Sequence, residues 1–342
     1  MSIAEIRLSD VESGDLHAQL RVALHPITDF HPYRNYESLL THVRALVAAH
    51  RLPVISLIGQ QILRDRANDI ECHYIANCPV DDGLPDVDGG LVLNHKIATD
   101  SDIFSGEVLL LALSLILDNP VLAYETRNGG AYFQDVLAAE NFKDTQTQKT
   151  DTELWPHNDR TAHWIRADFL SLLGLRIPVE NEVATEYIRG RDIIARLSSQ
   201  ERAVLSERHF LTPYDQLSQQ SNPLQIESPP HAIVEADGEI RYYYRRTQLA
   251  PSAPKEAGEA LASFENAVVA APRVSAMIEK GGLLIMPNKK GLHVRNIVCV
   301  RDRSLLAKRW LLKTYNLTSQ DFMSQNSDLF VPGRTGLVKE LS

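Results

Sequence analysis

The chain has 342 residues, of which 44% are hydrophobic and 23% charged, a composition typical of a globular protein with a large core. Its formal net charge of -9 argues against nucleic acid or an anionic membrane as a partner, because the long-range field repels polyanions. The N-terminus lacks a basic segment followed by an apolar one, so we expect no secretory signal and a cytoplasmic location. We expect a single domain over 1–342, and nothing in the sequence indicates an oligomeric state.

Three cysteines are present, Cys72, Cys78 and Cys299. Their odd number and their spacing fit neither a zinc site nor a small disulfide framework. We therefore expect reduced side chains in the core.

The first third of the chain mixes predicted helices and strands. Apolar side chains at intervals of three and four residues predict a helix over 36–50, stopped near Pro53. An apolar run at 109–117 predicts a buried helix, since it is too short to cross a bilayer. Extended segments are predicted at 71–80, 91–95 and 120–125.

The middle of the chain continues this alternation. A strand is predicted at 131–136, after the turn signal Asn128-Gly-Gly, and a buried strand at 166–176, with a helix over 187–197 behind it. The segment 198–235 is rich in Ser, Gln and Pro. It is either a mobile lid over a site or a plain surface excursion, and the sequence leaves both open.

The last third adds a predicted strand at 240–246, a helix at 256–269 and a strand at 282–287. Short β-runs separated by turns, with helices between them, predict a mixed α/β fold with a β core, a sandwich or barrel decorated by helices. No glycine-rich segment has the spacing and the following helix that a dinucleotide or phosphate-binding loop needs.

Three residues could form a mononuclear iron site. Such a site needs two imidazoles and one carboxylate on one face of the metal, which leaves three positions open. His157 and Asp159 are two residues apart, so on an extended segment their side chains point to the same side. His293 follows a predicted turn and can supply the third ligand. A His-x-Asp pair by itself occurs often by chance and is usually structural.

The residues around this triad carry a family resemblance. Three motifs follow one another along the chain. They are Leu154-Trp-Pro-His-Asn-Asp159 with the predicted strand 166–176, the segment 282–295 around His293, and Lys308-Arg-Trp-Leu-Leu-Lys313. In these motifs the chain resembles, over roughly residues 120–316, the clavaminate synthase-like (TauD-related) branch of the Fe(II)/2-oxoglutarate-dependent oxygenases. The resemblance implies a double-stranded β-helix (jelly-roll) decorated by helices. It also implies Fe(II) held by His157, Asp159 and His293, with 2-oxoglutarate and O2 as cosubstrates.

Carried over residue by residue, the resemblance assigns further roles. Arg309 would grip the distal carboxylate of 2-oxoglutarate with its guanidinium fork, and Thr185 would donate a hydroxyl to the same carboxylate. Gln134 and Lys313 fall where the family can contact the substrate, although both could equally be structural. Asp159 replaces the glutamate common in this branch, and a carboxylate there argues against halogenation.

Two departures from the family pattern concern the second histidine. Val294 stands before Arg295 where the family often has Gly-Arg directly after the histidine, and the interval from His293 to Arg309 is slightly longer than usual. We expect a slightly longer turn there.

The resemblance implies hydroxylation of an unactivated C–H bond of a free amino acid or amino-acid-like metabolite, in natural-product biosynthesis, coupled to decarboxylation of 2-oxoglutarate to succinate. Desaturation, epoxidation and cyclisation use the same ligands and stay open. The arginine-rich segment 241–246 lies where relatives specific for cationic side chains carry acidic residues, which disfavours a basic substrate. A non-catalytic descendant that binds a small ligand is the second hypothesis. A structural zinc protein is the third, and it fits three scattered cysteines poorly.

Overall fold

The computed structural model describes residues 2–86, 96, 103–221, 224 and 226–340. The strand predicted at 91–95 lies outside these residues. No helix of the described residues is by itself long and apolar enough to cross a membrane. Tyr36–Ala48 and Pro53–Ala67 pass that test by length and composition only as a pair, and the pair is bent by 83°.

The elements are numbered in chain order. The strands are β1 (Ala4–Arg7), β2 (His73–Ala76), β3 (Val121–Tyr124), β4 (Gln134–Val136), β5 (Leu154–His157), β6 (Phe169–Arg176), β7 (Asn181–Arg189), β8 (Phe210–Leu211), β9 (Gln248–Leu249), β10 (Arg273–Met277), β11 (Leu283–Pro287), β12 (Gly291–Val300), β13 (Trp310–Asn316) and β14 (Leu337–Val338). The helices of the described residues are α1 (Asp10–Ala23), α2 (Tyr36–Ala48), α3 (Pro53–Ala67), α4 (Ser105–Ile116), α5 (Gly190–Ile194), α6 (Ser199–Leu205), α7 (Gln216–Ser221), α8 (Lys255–Ala270), α9 (Arg303–Leu306) and α10 (Gln320–Gln325).

A large sheet has the strand order β1-β2-β11-β6-β13-β3-β14, with β4 also pairing with β13. Its central pairs, β11 with β6 and β6 with β13, are antiparallel. All five residues of β11 and all seven of β13 are buried. Strands covered on both faces have no solvent side, which is why β11 is a continuous apolar run.

A smaller sheet has the order β10-β7-β12-β5 and is antiparallel throughout. The first four residues of β12 are buried, whereas its far end alternates between partly exposed and exposed positions. The sheet is therefore packed most tightly where β12 begins, at the end that carries His293. Strands β8 and β9 form a separate two-stranded ribbon.

The two sheets face each other across a shared core. Leu172, Met286 and Leu311 of the large sheet pack in one cluster with Tyr187 of the small sheet. Helices α1 to α4 cover the outer face of the large sheet, and α5, α6 and α8 cover the outer face of the small one. The order is helices, sheet, sheet, helices, which confirms a mixed α/β fold with a β core.

Several predicted elements are confirmed at nearly their predicted positions. The helices predicted at 36–50, 109–117 and 256–269 are α2, α4 and α8, and the strands predicted at 71–80, 120–125 and 166–176 contain β2, β3 and β6. The strands predicted at 131–136 and 282–287 contain β4 and β11. Their apolar periodicity agrees with the faces they bury, so local pattern and tertiary packing point the same way.

Two predicted elements, one helix and one strand, are wrong. Helix α3 was not predicted. The helix predicted at 187–197 is limited to the short α5. Residues up to Arg189 belong to β7, because Tyr187 and Ile188 are paired with strands on both sides. The strand predicted at 240–246 makes only isolated bridges, at Ile240 and Tyr243, before turning. Pro53 ends no helix but begins α3, where its missing N–H costs nothing.

Candidate metal and cosubstrate site

A cavity of about 100 Å³ lies between the inner faces of the two sheets. The predicted residues that line it are His157, Asp159, Thr185, His293, Arg309 and Lys313. Gln134 is not among the described residues that line the cavity. Six of the seven predicted site residues, from four separate parts of the chain, therefore meet in one place.

His157 ends β5 and faces Asp159, as expected for two residues at this spacing. Its Nε2 lies 3.5 Å from Oδ1 of Asp159, and its Nδ1 lies 2.7 Å from the carbonyl oxygen of Trp155. A carbonyl can only accept, so Nδ1 is the donor of this bond and Nε2 is the nitrogen that faces Asp159. A second hydrogen bond that fixes the tautomer in this way is usual for metal-binding histidines.

His293 is the third residue of β12 and pairs across the ladder with His157. The two ring centres are 6.1 Å apart. Nε2 of His293 donates to the carbonyl of Pro287 at 2.7 Å, while its buried Nδ1 has no hydrogen-bond partner in the described structure. Burial lowers the pKa of His293 to about 4. The ring is therefore neutral, which is the form that binds metals.

Asp159 is held as a carboxylate by its neighbours. Burial would raise its pKa, but Lys313 and His157 outweigh burial and keep the pKa well below its usual value. Lys313 Nζ lies 3.0 Å from Oδ2 of Asp159. It also donates to Gln148 Oε1 at 2.5 Å and to Tyr315 Oη at 2.9 Å, which engages all three of its protons. Oδ1 of Asp159 is left facing the imidazole of His157.

Two buried asparagines join the His-x-Asp segment to the turn between β11 and β12. Nδ2 of Asn158 donates to the carbonyls of Asn288 and Gly291, at 2.5 and 2.7 Å. Oδ1 of Asn288 accepts from the backbone N–H of Asp159 at 2.8 Å, and its Nδ2 donates back to the Asp159 carbonyl at 3.1 Å. These bonds fix the backbone of the carboxylate relative to the strand that carries His293.

The donor set fits iron(II). Within the part of the chain that the structure describes, no three His, Cys, Asp or Glu side chains are already gathered tightly enough to form a coordination sphere. Two imidazoles, of which that of His293 is neutral, and one ionised carboxylate nevertheless line the same cavity. This is the ligand chemistry of a two-histidine, one-carboxylate iron site.

Arg309 is a buried cation without a counter-ion. It precedes β13 and is only 8% exposed. Its Nη2 has no hydrogen-bond partner among the described residues. No carboxylate of these residues lies within ion-pair distance of it. Burial, with nearby Arg295, lowers its pKa to about 9. An unpaired buried charge is costly, and an anionic ligand at this position would offset that cost. Thr185 of β7 lines the same cavity and pairs in register with Arg295.

Sequence reasoning missed further charged groups of the cavity wall. Arg295 donates to the carbonyls of Thr150 and Thr152, at 2.7 to 2.9 Å. Arg160 directly follows Asp159, so its position in the motif was an available signal. Arg127 and Asp215 form an ion pair at 2.7 Å although they are 88 residues apart, and no local pattern could have indicated that pair.

Gln134 lies in β4, in register with Lys313 of β13. Its Oε1 accepts from Asn128 Nδ2 at 2.8 Å, and its buried Nε2 has no partner among the described residues. A role in contacting substrate stays a prediction for Gln134.

The chain was compared with known proteins. No protein-family model matches it. It is 27% identical over 243 residues to an L-asparagine oxygenase of Streptomyces coelicolor, which covers 70% of this chain and 69% of that protein. It is 26% identical over 185 residues to an L-lysine 3-hydroxylase of Catenulispora acidiphila, which covers 53% and 51% of the two chains.

Solved structures share the fold. Asparagine oxygenase in complex with Fe(II), 2S,3S-3-hydroxyasparagine and succinate superposes with a TM-score of 0.79 at 20% identity, over 98% of this chain and 99% of that one. The non-heme iron oxygenase OrfP in complex with Fe and alpha-ketoglutaric acid superposes with a TM-score of 0.75 at 18% identity, over the same shares. The fold is thus that of non-haem iron oxygenases. The chain is thus similar in sequence and in fold to iron-dependent amino-acid oxygenases, which agrees with the family resemblance of its motifs.

Proposed function

We propose that this protein is an Fe(II)/2-oxoglutarate-dependent dioxygenase that hydroxylates an unactivated C–H bond of a free amino acid or amino-acid-like metabolite. The observation that carries the proposal is the cavity itself. It combines two histidines, an ionised aspartate and a buried arginine with no counter-ion among the described residues. The relatives named as an asparagine oxygenase and a lysine 3-hydroxylase support an amino-acid substrate.

In this proposal His157, Asp159 and His293 hold Fe(II), which, with 2-oxoglutarate and O2, supplies the oxidising chemistry. Arg309 binds the distal carboxylate of 2-oxoglutarate, helped by the hydroxyl of Thr185. Lys313 keeps Oδ2 of Asp159 engaged at 3.0 Å, so that one carboxylate oxygen faces the imidazoles. The apolar side chains of Leu172 and Leu311 line the same cavity and help to exclude water from it.

The proposal extends to the architecture. The two facing sheets are proposed to form a double-stranded β-helix (jelly-roll), and the chain 1–342 a single oxygenase domain. The segment 198–235 is proposed to act as a cover, because Thr212, Pro213, Tyr214 and Asp215 of this segment line the cavity. A cytoplasmic location without nucleic-acid or membrane partners stays a prediction from the sequence.

Anaerobic titration of the metal-free protein with Fe(II) and 2-oxoglutarate tests the proposed function. Cosubstrate that chelates iron through its 2-oxo and carboxylate oxygens gives a weak visible charge-transfer band. We expect this band for the unaltered protein. It should need much higher 2-oxoglutarate in Arg309→Ala and disappear in His293→Ala.

Arg301→Ala is the matched control for Arg309→Ala, because the Arg301 side chain is 68% exposed and pairs only with Glu182 at the surface among the described residues. Its titration should match that of the unaltered protein. Absence of the band at saturating iron and cosubstrate would overturn the oxygenase assignment in favour of a ligand-binding descendant.

A further inference from the structure

The second end of the cavity carries an arginine with unused donors. Arg160 is 8% exposed, and its Nη1 donates to Ser218 Oγ at 2.8 Å. Its Nε and Nη2 are buried and have no partner among the described residues, although Arg160 lines the cavity. The guanidinium lies 4.3 Å from the ring centre of Tyr124, and this contact restrains its plane.

The other charged groups nearby are more fully engaged, although Nε of Arg127 is also buried without a partner among the described residues. Nη1 of Arg127 donates to Asp215 at 2.7 Å and to Ser218 at 2.8 Å. Asp215 also accepts from the hydroxyl of Ser218 at 2.8 Å. Lys313 has its three protons on Gln148, Asp159 and Tyr315. Lys313, which the sequence suggested as a substrate contact, therefore has no donor left, whereas Nε and Nη2 of Arg160 are unused.

The charge balance of the cavity also favours an anion. The charged side chains among its described lining residues are five cations, Arg127, Arg160, Arg295, Arg309 and Lys313, and two carboxylates, Asp159 and Asp215. Fe(II) and the 2-oxoglutarate dianion cancel each other, so the loaded cavity keeps an excess of three positive charges. A zwitterionic amino acid with a neutral side chain leaves this excess unchanged, and one with a basic side chain increases it. An acidic side chain reduces it.

The free donors have the geometry that a carboxylate needs. A guanidinium presents adjacent N–H groups in a rigid fork, which matches the two oxygens of a carboxylate, and an ammonium does not. Arg160 also has a backbone φ of 61°, a region that non-glycine residues rarely occupy and that is found most often at functional sites.

On the basis of the proposed function, we infer that the substrate is an amino-acid-like metabolite with an acidic side chain, and that Arg160 binds the side-chain carboxylate. Arg127, Ser218 and Asp215 hold Arg160 and the covering segment in place. This assignment names the substrate class of the same site and a specificity residue next to the metal ligand Asp159.

The test uses acid and amide partners of nearly equal shape. L-Aspartate, L-asparagine, L-glutamate and L-glutamine are titrated anaerobically into the protein loaded with Fe(II) and 2-oxoglutarate, and L-2-aminoadipate and L-lysine are added as a longer pair. Binding is measured by calorimetry and by the change of the charge-transfer band. We expect the acidic member of at least one pair to bind tenfold or more tightly than its partner, about the effect of one charge-assisted hydrogen bond.

Variants locate the effect. Arg160→Met should weaken binding of the preferred acid by about 30-fold, as expected for truncation of one partner of a buried charge pair, and should change binding of its amide by less than about threefold. Arg160→Lys should restore part of the loss. Arg196→Met, at an exposed arginine of the surface, is the control and should keep the full preference.

Three outcomes would overturn the inference: no acidic amino acid binds although the band forms, acid and amide bind alike, or Arg160→Met weakens both equally. The last outcome would indicate binding of the shared α-carboxylate or a structural role. If Arg160→Met does not fold, the acid-to-amide ratios of the unaltered protein and of Arg160→Lys decide. Failure of the band before any amino acid is added would instead count against the proposed function.

Discussion

Arg309 carries a buried positive charge without a counter-ion among the described residues, and this charge destabilises the fold in the absence of ligands. The guanidinium is 8% exposed, finds no carboxylate among the described residues, and has its pKa lowered to about 9 by burial and by Arg295. Its pKa lies below the ordinary value because the folded state disfavours the charged form. The same unpaired charge becomes favourable once a carboxylate ligand arrives, so stability is exchanged for affinity at this residue.

Replacement of Arg309 by an apolar side chain should therefore separate stability from binding. For Arg309→Met we expect the free energy of unfolding without ligands to rise by about 1 to 3 kcal/mol, because a buried charge is removed and the apolar stem is kept. The affinity for 2-oxoglutarate should fall by about 100-fold or more. Urea unfolding and the anaerobic cosubstrate titration measure the two effects.

Arg301→Met, at an exposed arginine, is the control. Its free energy of unfolding and its free energy of binding 2-oxoglutarate should stay within about 0.5 kcal/mol of those of the unaltered protein. A large loss of stability in Arg309→Met would contradict the expectation and indicate a structural role for the guanidinium.

At the scale of elements, the segment 198–235, which we propose as a cover, is held to the cavity wall by hydrogen bonds of one serine. Ser218 of α7 accepts from Arg127 and Arg160 and donates to Asp215, each at 2.8 Å. Hydrogen bonds to charged groups are worth about 1.5 to 3 kcal/mol each, so one hydroxyl can anchor a short helix. Without such anchors, a helix of six residues has little stability of its own.

Removal of that hydroxyl should loosen the segment locally. In Ser218→Ala we expect amide hydrogen exchange across 212–221 to accelerate by about tenfold, which corresponds to about 1.4 kcal/mol of local opening. The two sheets should exchange as before.

Ser221→Ala is a matched control in the same helix, because its hydroxyl donates only to the Leu217 carbonyl among the described residues. Equal acceleration of amide hydrogen exchange in both variants would show that the Ser218 hydroxyl does not stabilise the segment more than that of Ser221 does.

At the scale of the whole molecule, the cavity draws on both sheets at once. His157, Thr185 and His293 belong to strands of the small sheet, whereas Lys313 belongs to β13 of the large sheet and Arg309 directly precedes it. Iron held at one wall and a cosubstrate carboxylate held by Arg309 would connect the two walls. Ligands that bind only the folded state stabilise it by mass action.

Fe(II) with 2-oxoglutarate should therefore stabilise the entire fold. At ligand concentrations about 100 times the dissociation constant the gain is about 2.7 kcal/mol, which raises Tm by about 5 °C for a chain of this size. Anaerobic calorimetry of the protein with metal, with cosubstrate and with both measures it. In His293→Ala the increase of Tm caused by Fe(II) should vanish. An increase of Tm equal to that of the unaltered protein would argue against His293 as a metal ligand.

Much of the local chemistry could be predicted from the sequence. The spacing of His157 and Asp159, the motif around His293 and the Arg-Trp-Leu segment were sufficient to indicate the family, since each is a short run of neighbouring residues. Helices α2, α4 and α8 were also predictable, because their apolar periodicity agrees with the faces they bury. The sequence by itself thus indicated the class of protein and the residues that we propose as donors of its metal site.

Tertiary structure decided what depends on distant partners. Tyr187 and Ile188 could have been helical, and they are extended because β10 and β12 pair with them on either side. The engagement of Lys313 by Asp159, the pairing of Arg127 with Asp215 and the unused donors of Arg160 all follow from chain segments that meet only after folding. Burial removes water as an alternative partner, so contacts across the cavity, and not residue type, determine which of these cations is left for a ligand.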